Sequence, residues 1–178
     1  MDHAHITFCR MLRSRRRVLG HDHPQVVRIL NNIACVHYES GELEAATKTL
    51  EECKEVLESQ RGRKSVSLAL SIVLCNLGFL QCRQRHFQEA TASIEKGLSI
   101  KLRFLGENHP SVLCAMENLA FIADAARKQP DAGKSGSNES FADSTLLRCC
   151  LLDFNLQTGK SVGNSEHPSF HSASERWW

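Results

Sequence analysis

Aromatic residues are scarce in this sequence. Phe, Trp and Tyr make up 6% of 178 residues, with one Tyr, and both Trp stand at the very end. A core without many rings must be built from Leu, Ile, Val, Ala and Cys, which favours packed helices over a sandwich of sheets. Proline is also rare, at four residues, so long helices can run uninterrupted. No apolar run approaches the 18 residues read as a membrane span, so none is expected. The N-terminal stretch MDHAHITFCRMLRSRRR has no apolar segment behind its charges. No secretory signal is therefore expected, and a cytoplasmic protein is. An excess of one charge is missing as well. Twenty-two basic residues face 20 acidic ones, for a net charge of +2. That balance does not point to nucleic acid.

What is present allows either one domain or a short array of small repeats. Hydrophobic residues reach 42%, enough for a buried core. Cysteine is plentiful: Cys9, Cys35, Cys53, Cys75, Cys82, Cys114, Cys149 and Cys150. No two of them have the CxxC spacing of zinc or redox sites. Most lie inside apolar helical patterns, so they read as small buried hydrophobes in a reducing compartment.

The sequence repeats itself. LNNIACVHYESGELEAATKTL (30–50), LCNLGFLQCRQRHFQEATASI (74–94) and MENLAFIADAARK (116–128) align without gaps at their centres. Asn32, Asn76 and Asn118 share one position, Ile33, Leu77 and Leu119 the next, and Ala34, Gly78 and Ala120 the third. The linkers VLGHDHPQV (18–26) and FLGENHPSV (104–112) repeat at an offset equal to the sum of the two core offsets. Two independent landmarks thus give one period, the mark of a repeat architecture.

Within each unit the pattern predicts helix, turn, helix. The first helix of unit one runs from about Pro24, which suits a first helical position, to Ser40. Gly41 can end it in a left-handed conformation. The second runs over Leu43–Ser59. Unit two repeats this over Val66–Arg83 and Phe87–Leu105. Small residues at Ala34, Gly78 and Ala120, and at Ala46 and Ala90, let paired helices approach closely.

The pattern L-x-N-[IL]-[AG], a turn, then [LF]-x-x-A resembles the tetratricopeptide repeat. The LGxxHP linker and the long unit resemble the kinesin light chain type of that repeat. The resemblance covers about residues 4–128. It implies an all-α superhelical array of antiparallel helix pairs, a tetratricopeptide repeat solenoid. The expected division is a second helix of a truncated preceding repeat in 1–20, repeat 1 in 21–62, repeat 2 in 63–105 and the first helix of repeat 3 in 106–128. A flexible linker is expected at 129–140, a displaced helix at 141–156 and a disordered tail at 157–178.

The resemblance also implies a function. First helices line a concave groove that takes a peptide segment of a protein partner. Around the signature Asn, the groove residues are Arg28, Asn31, Asn32, Cys35, Asn76, Phe79, Arg83, Asn118 and Phe121. An Asn amide both donates and accepts, so a row of them can grip a peptide backbone. The same amides can instead bond neighbouring helices, and both readings stay open here. Phe79 and Phe121 would supply apolar pockets. A clamp for a terminal carboxylate does not fit, because Ile72, Cys75, Cys114 and Glu117 stand where polar or basic residues would be needed.

Other signals are weaker. Arg13, Arg15, Arg16 and Arg17 offer a second reading, contact with nucleic acid, though such a run more often forms a solvated face near a helix C-terminus. A third reading is a partial repeat fragment without function of its own. His23 and His109 belong to the linker motif and are expected to serve the helix start rather than a metal. GKS at Gly133 and at Gly159 lacks the earlier Gly of a phosphate loop, having Lys128 and Phe154 there. No catalytic constellation, cofactor, metal site or small-molecule substrate is expected. Membrane and nucleic acid are not expected partners.

Overall fold

A computed structural model describes residues 3–128, apart from Arg61. The linker, displaced helix and tail expected at 129–178 lie outside the described residues. Six α-helices follow one another: α1 His3–Leu19, α2 Pro24–Glu39, α3 Leu43–Ser59, α4 Lys64–Arg83, α5 Phe87–Leu105 and α6 Pro110–Lys128. Among the described residues there is no strand. Each helix packs against the next in sequence, and α4 against α5 is the most extensive pairing. This is the stacking logic of a solenoid, in which each unit buries its apolar face against neighbours.

The helix starts follow from the linker. Pro24 takes the first turn of α2, and His23 precedes it in an extended conformation. The His23 ring Nδ1 accepts the Gln25 N–H at 3.2 Å, satisfying one of the donors that a helix start leaves over. His109 repeats this before α6, accepting the Ser111 N–H at 3.1 Å. The HP dipeptide is thus a cap and a stop-start signal in one.

The helix ends follow from a shared turn. After α2, the Gly41 N–H donates to the Tyr38 carbonyl and the Glu42 N–H to the His37 carbonyl. After α4, Arg85 donates to Cys82 and His86 to Gln81 in the same pattern. This is the Schellman closure, which needs a left-handed residue after the cap. Gly41 supplies it with φ 79°, while Arg85 adopts φ 65° at the equivalent place. An L-residue there bears a steric cost that glycine avoids.

The core runs through the middle of the stack. Leu30, Leu50, Leu57, Val73, Leu80, Ile94 and Ile122 are wholly or almost wholly buried. Helix α4 is the central element, buried continuously from Val73 to Leu80. It is also the one described helix long and apolar enough, by length and composition alone, to cross a bilayer. Its residues are mostly covered by the other helices, as befits the core of an array.

Close approach between α4 and α5 depends on glycine. A Cβ at Gly78 would lie 2.6 Å from Ile94 Cγ1 and 2.9 Å from the Ala90 carbonyl. A Cβ at Gly97 would lie 3.0 Å from Cys75 Sγ and 3.0 Å from the Ser71 carbonyl. Second helices are joined on the outside by ion pairs, Arg16 with Glu52 between α1 and α3, and Lys96 with Glu58 at 2.6 Å between α5 and α3. Being partly exposed, such pairs contribute at most about 1 kcal/mol each.

Candidate peptide-binding groove

Helices α2, α4 and α6 lie side by side. Asn76 Nδ2 on α4 donates to Asn31 Oδ1 on α2 at 3.0 Å, and both residues are fully buried. Asn31 Nδ2 in turn approaches Cys35 Sγ at 4.0 Å. One step along, Tyr38 meets Phe79 edge to face, with ring centroids 5.1 Å apart. Phe121 of α6 packs partly against the same cluster. Side chains of the three first helices thus meet along this face.

That face has a floor and a rim. Asn31, Cys35, Asn76, Phe79 and Asn118 are buried. This corrects the expectation that all of them present side chains to a ligand. They lie on the predicted helices, but neighbouring first helices approach closely enough to enclose them. For Asn31 and Asn76 the side-chain hydrogen bond across the helix pair shows a structural role. Arg28, Asn32, Arg83 and Phe121 are half-buried and remain at the rim, with Ile72 and Cys114 beside them. The helical period alone could not separate rim from floor.

The face is short of donors. Asn32 Oδ1 and Asn76 Oδ1 are buried and accept no hydrogen bond from the described residues. A buried acceptor left in that state costs about 1–3 kcal/mol. Of the two residues, Asn32 is the half-buried one, at the rim.

The thiols near the face are poor nucleophiles. Burial pushes the Cys35 thiol up to about 12, with the Glu39 carboxylate adding to the effect. Burial also raises Cys82, to about 11. Cys53, between helices, is raised further still by burial and by Glu52. Each of the six described cysteines is a thiol and not half of a disulfide. Among the described residues no group of three or more His, Cys, Asp or Glu converges as metal ligands would. The basic run divides: Arg16 is engaged by Glu52, while Arg13, Arg15 and Arg17 are exposed on α1.

Comparison with known proteins agrees with this architecture. The tetratricopeptide repeat profile matches residues 10–59, and a second profile of the same description matches residues 73–111. The chain is a tetratricopeptide repeat protein. Both matches are to kinesin light chain-like types of the repeat. Repeats of this family generally mediate protein–protein interaction.

Relatives are found among fungal proteins. This tetratricopeptide repeat protein is 25% identical over 118 residues to a clustered mitochondria protein homolog of Ajellomyces capsulatus, covering 66% of this chain and 9% of that protein. The homolog of Aspergillus niger gives the same identity and coverage. That of Emericella nidulans is 24% identical, again over 66% of this chain, and 10% of its own length is matched. The chain thus spans about a tenth of the length of the relatives it matches.

Proposed function

We propose that this tetratricopeptide repeat protein is a cytoplasmic, non-catalytic scaffold whose α2–α4–α6 face takes a peptide segment of a protein partner. The observation that carries the reading is the unsatisfied carbonyl oxygen Asn32 Oδ1 on the half-buried rim of that face. A bound segment offers a backbone N–H group to it and removes its desolvation cost. Arg28 and Arg83 flank the floor with positive charge, and Phe121 and Ile72 offer apolar contact. Backbone recognition of this kind holds the segment without reading its whole sequence. The rim side chains then choose among partners.

The test is affinity capture from cell extract with the unaltered chain and with the triple variant Asn32→Ala/Arg83→Ala/Phe121→Ala. All three sites are half-buried, so the fold should persist, and circular dichroism checks that it does. Specific partners captured by the unaltered chain should be lost from the variant. Identical partner sets from two equally folded proteins contradict the reading.

A further inference from the structure

The α2–α4–α6 face carries a charge pattern along its length. The Asn31–Asn76 hydrogen bond sets α2 and α4 in register. Arg28 comes three residues before Asn31, and Arg83 comes seven after Asn76. Counted through that bond, the two guanidinium positions stand ten helical residues apart, about 15 Å at 1.5 Å per residue. Between them the rim is apolar, with Ile72, Cys114 and Phe121 half-buried. Asn32 Oδ1, one turn beyond Arg28, accepts no hydrogen bond from the described residues. Two carboxylates also belong to this side of the stack, Glu39 and Glu117, and both residues are exposed rather than set into the rim.

The chain contains a segment of matching chemistry. Residues 129–140, rich in Gly and Ser, follow α6, which is one wall of the face. Those 12 residues can span up to about 40 Å, enough to cross three helices spaced about 10 Å apart. FADSTLLRCCLLDFNL (141–156) comes next, with apolar residues at helical spacing. On a helix, Leu147, Cys150, Leu151 and Phe154 share one side. Asp143 stands at the start of that side and Asp153 at its edge, while Arg148 falls on the opposite side. Asp143 and Asp153 are ten residues apart in the sequence, again about 15 Å on a helix.

We propose, resting on the reading of this face as a segment-binding groove, that residues 141–156 occupy it as an intramolecular ligand, which an external partner displaces by binding more tightly. Asp143 pairs with Arg28 and Asp153 with Arg83. The apolar side covers Ile72 and Phe121. The first turn of the bound helix has N–H groups left without partners, and Asn32 Oδ1 accepts one of them. Arg148 faces away from the two arginines, so no like charge enters the contact. A short tether holds the segment near the face at an effective concentration of about 1 mM, so even a weak contact is occupied.

The experiment compares the full chain with a full-length variant whose segment has lost its apolar side, Leu147→Asp/Leu151→Asp. The probe is a fluorescein-labelled peptide of residues 141–156, kept reduced and followed by anisotropy. The variant should bind it about tenfold more tightly than the unaltered chain does, since a tether at about 1 mM competes with a contact of Kd about 100 μM. Adding Arg28→Asp/Arg83→Asp to the variant should abolish binding. A peptide with Asp143→Arg/Asp153→Arg should restore it, and that rescue also shows that the altered chain is folded. Equal binding to the first two chains, binding to neither, or binding that ignores Arg28 and Arg83 overturns the proposal. The last result places the segment elsewhere, as a second helix against α6. Partner capture that depends on Asn32, Arg83 and Phe121 while the peptide binds to neither chain overturns this inference and leaves the groove reading standing.

Discussion

At the residue scale, histidine does the work usually left to Ser, Asp or Asn. His23 and His109 cap their helices through Nδ1, which must be unprotonated to accept the N–H. Burial, with help from the nearby Lys101 ammonium, holds the His109 pKa below its ordinary value of 6.5. The folded chain therefore binds this proton less readily than the unfolded chain. The stability tied to it is fully present above about pH 6.5 and is lost as the pH falls through that value towards the folded pKa. Thermal melts between pH 5 and 8 should show this decline, and His109→Asn, which keeps a capping oxygen without titrating, should flatten it. An equally steep decline in the variant would assign the pH dependence to other groups. Arg85 gives a second test. It holds the left-handed position that Gly41 fills in the preceding turn. Arg85→Gly should raise stability by about 1 kcal/mol in denaturant melts, since the steric cost of φ 65° exceeds the entropy that glycine adds. Thiol alkylation offers a third. Cys9 and Cys114 should react first, and Cys35 and Cys53 only on unfolding, because burial keeps the latter protonated.

At the element scale, the closest helix pair sets the tightest constraint. Gly78 brings α4 onto α5, and the nearest obstacles to a Cβ include the Ala90 carbonyl, which is backbone. Overpacking of this kind costs about 1–3 kcal/mol, against about 1 kcal/mol gained in helix propensity. Gly78→Ala should thus be destabilising, with a lowered melting temperature. An unchanged or raised melt would show that the pair has slack. The helices themselves were legible in the sequence. Pro24, Gly41 and the LGxxHP linker marked their ends because each acts through local backbone chemistry. The turn at Arg85 was legible only by the repeat, since arginine gives no left-handed signal of its own. What was not legible was the depth of the groove residues. Alignment equates Asn32 with Asn76, yet the bonded pair is Asn31 with Asn76. Which amides meet depends on how one helix is offset along its neighbour, and a helical period carries no information about that offset. For the same reason Phe79 and Cys35 read as groove contacts and are in fact buried.

At the scale of the whole molecule, the described helices form a stack with α4 at its centre. Scarcity of aromatic residues follows from the design, because small and aliphatic side chains let successive helices sit close. The first-helix face is the surface proposed for partners. The central claim is that the α2–α4–α6 face takes the partner. Hydrogen exchange of the chain, with and without a captured partner, tests it most directly. The account predicts new protection on α2, α4 and α6, centred on Arg28–Cys35, Asn76–Arg83 and Asn118–Phe121, with α3 and α5 unchanged. Protection confined to α3 and α5 would contradict it.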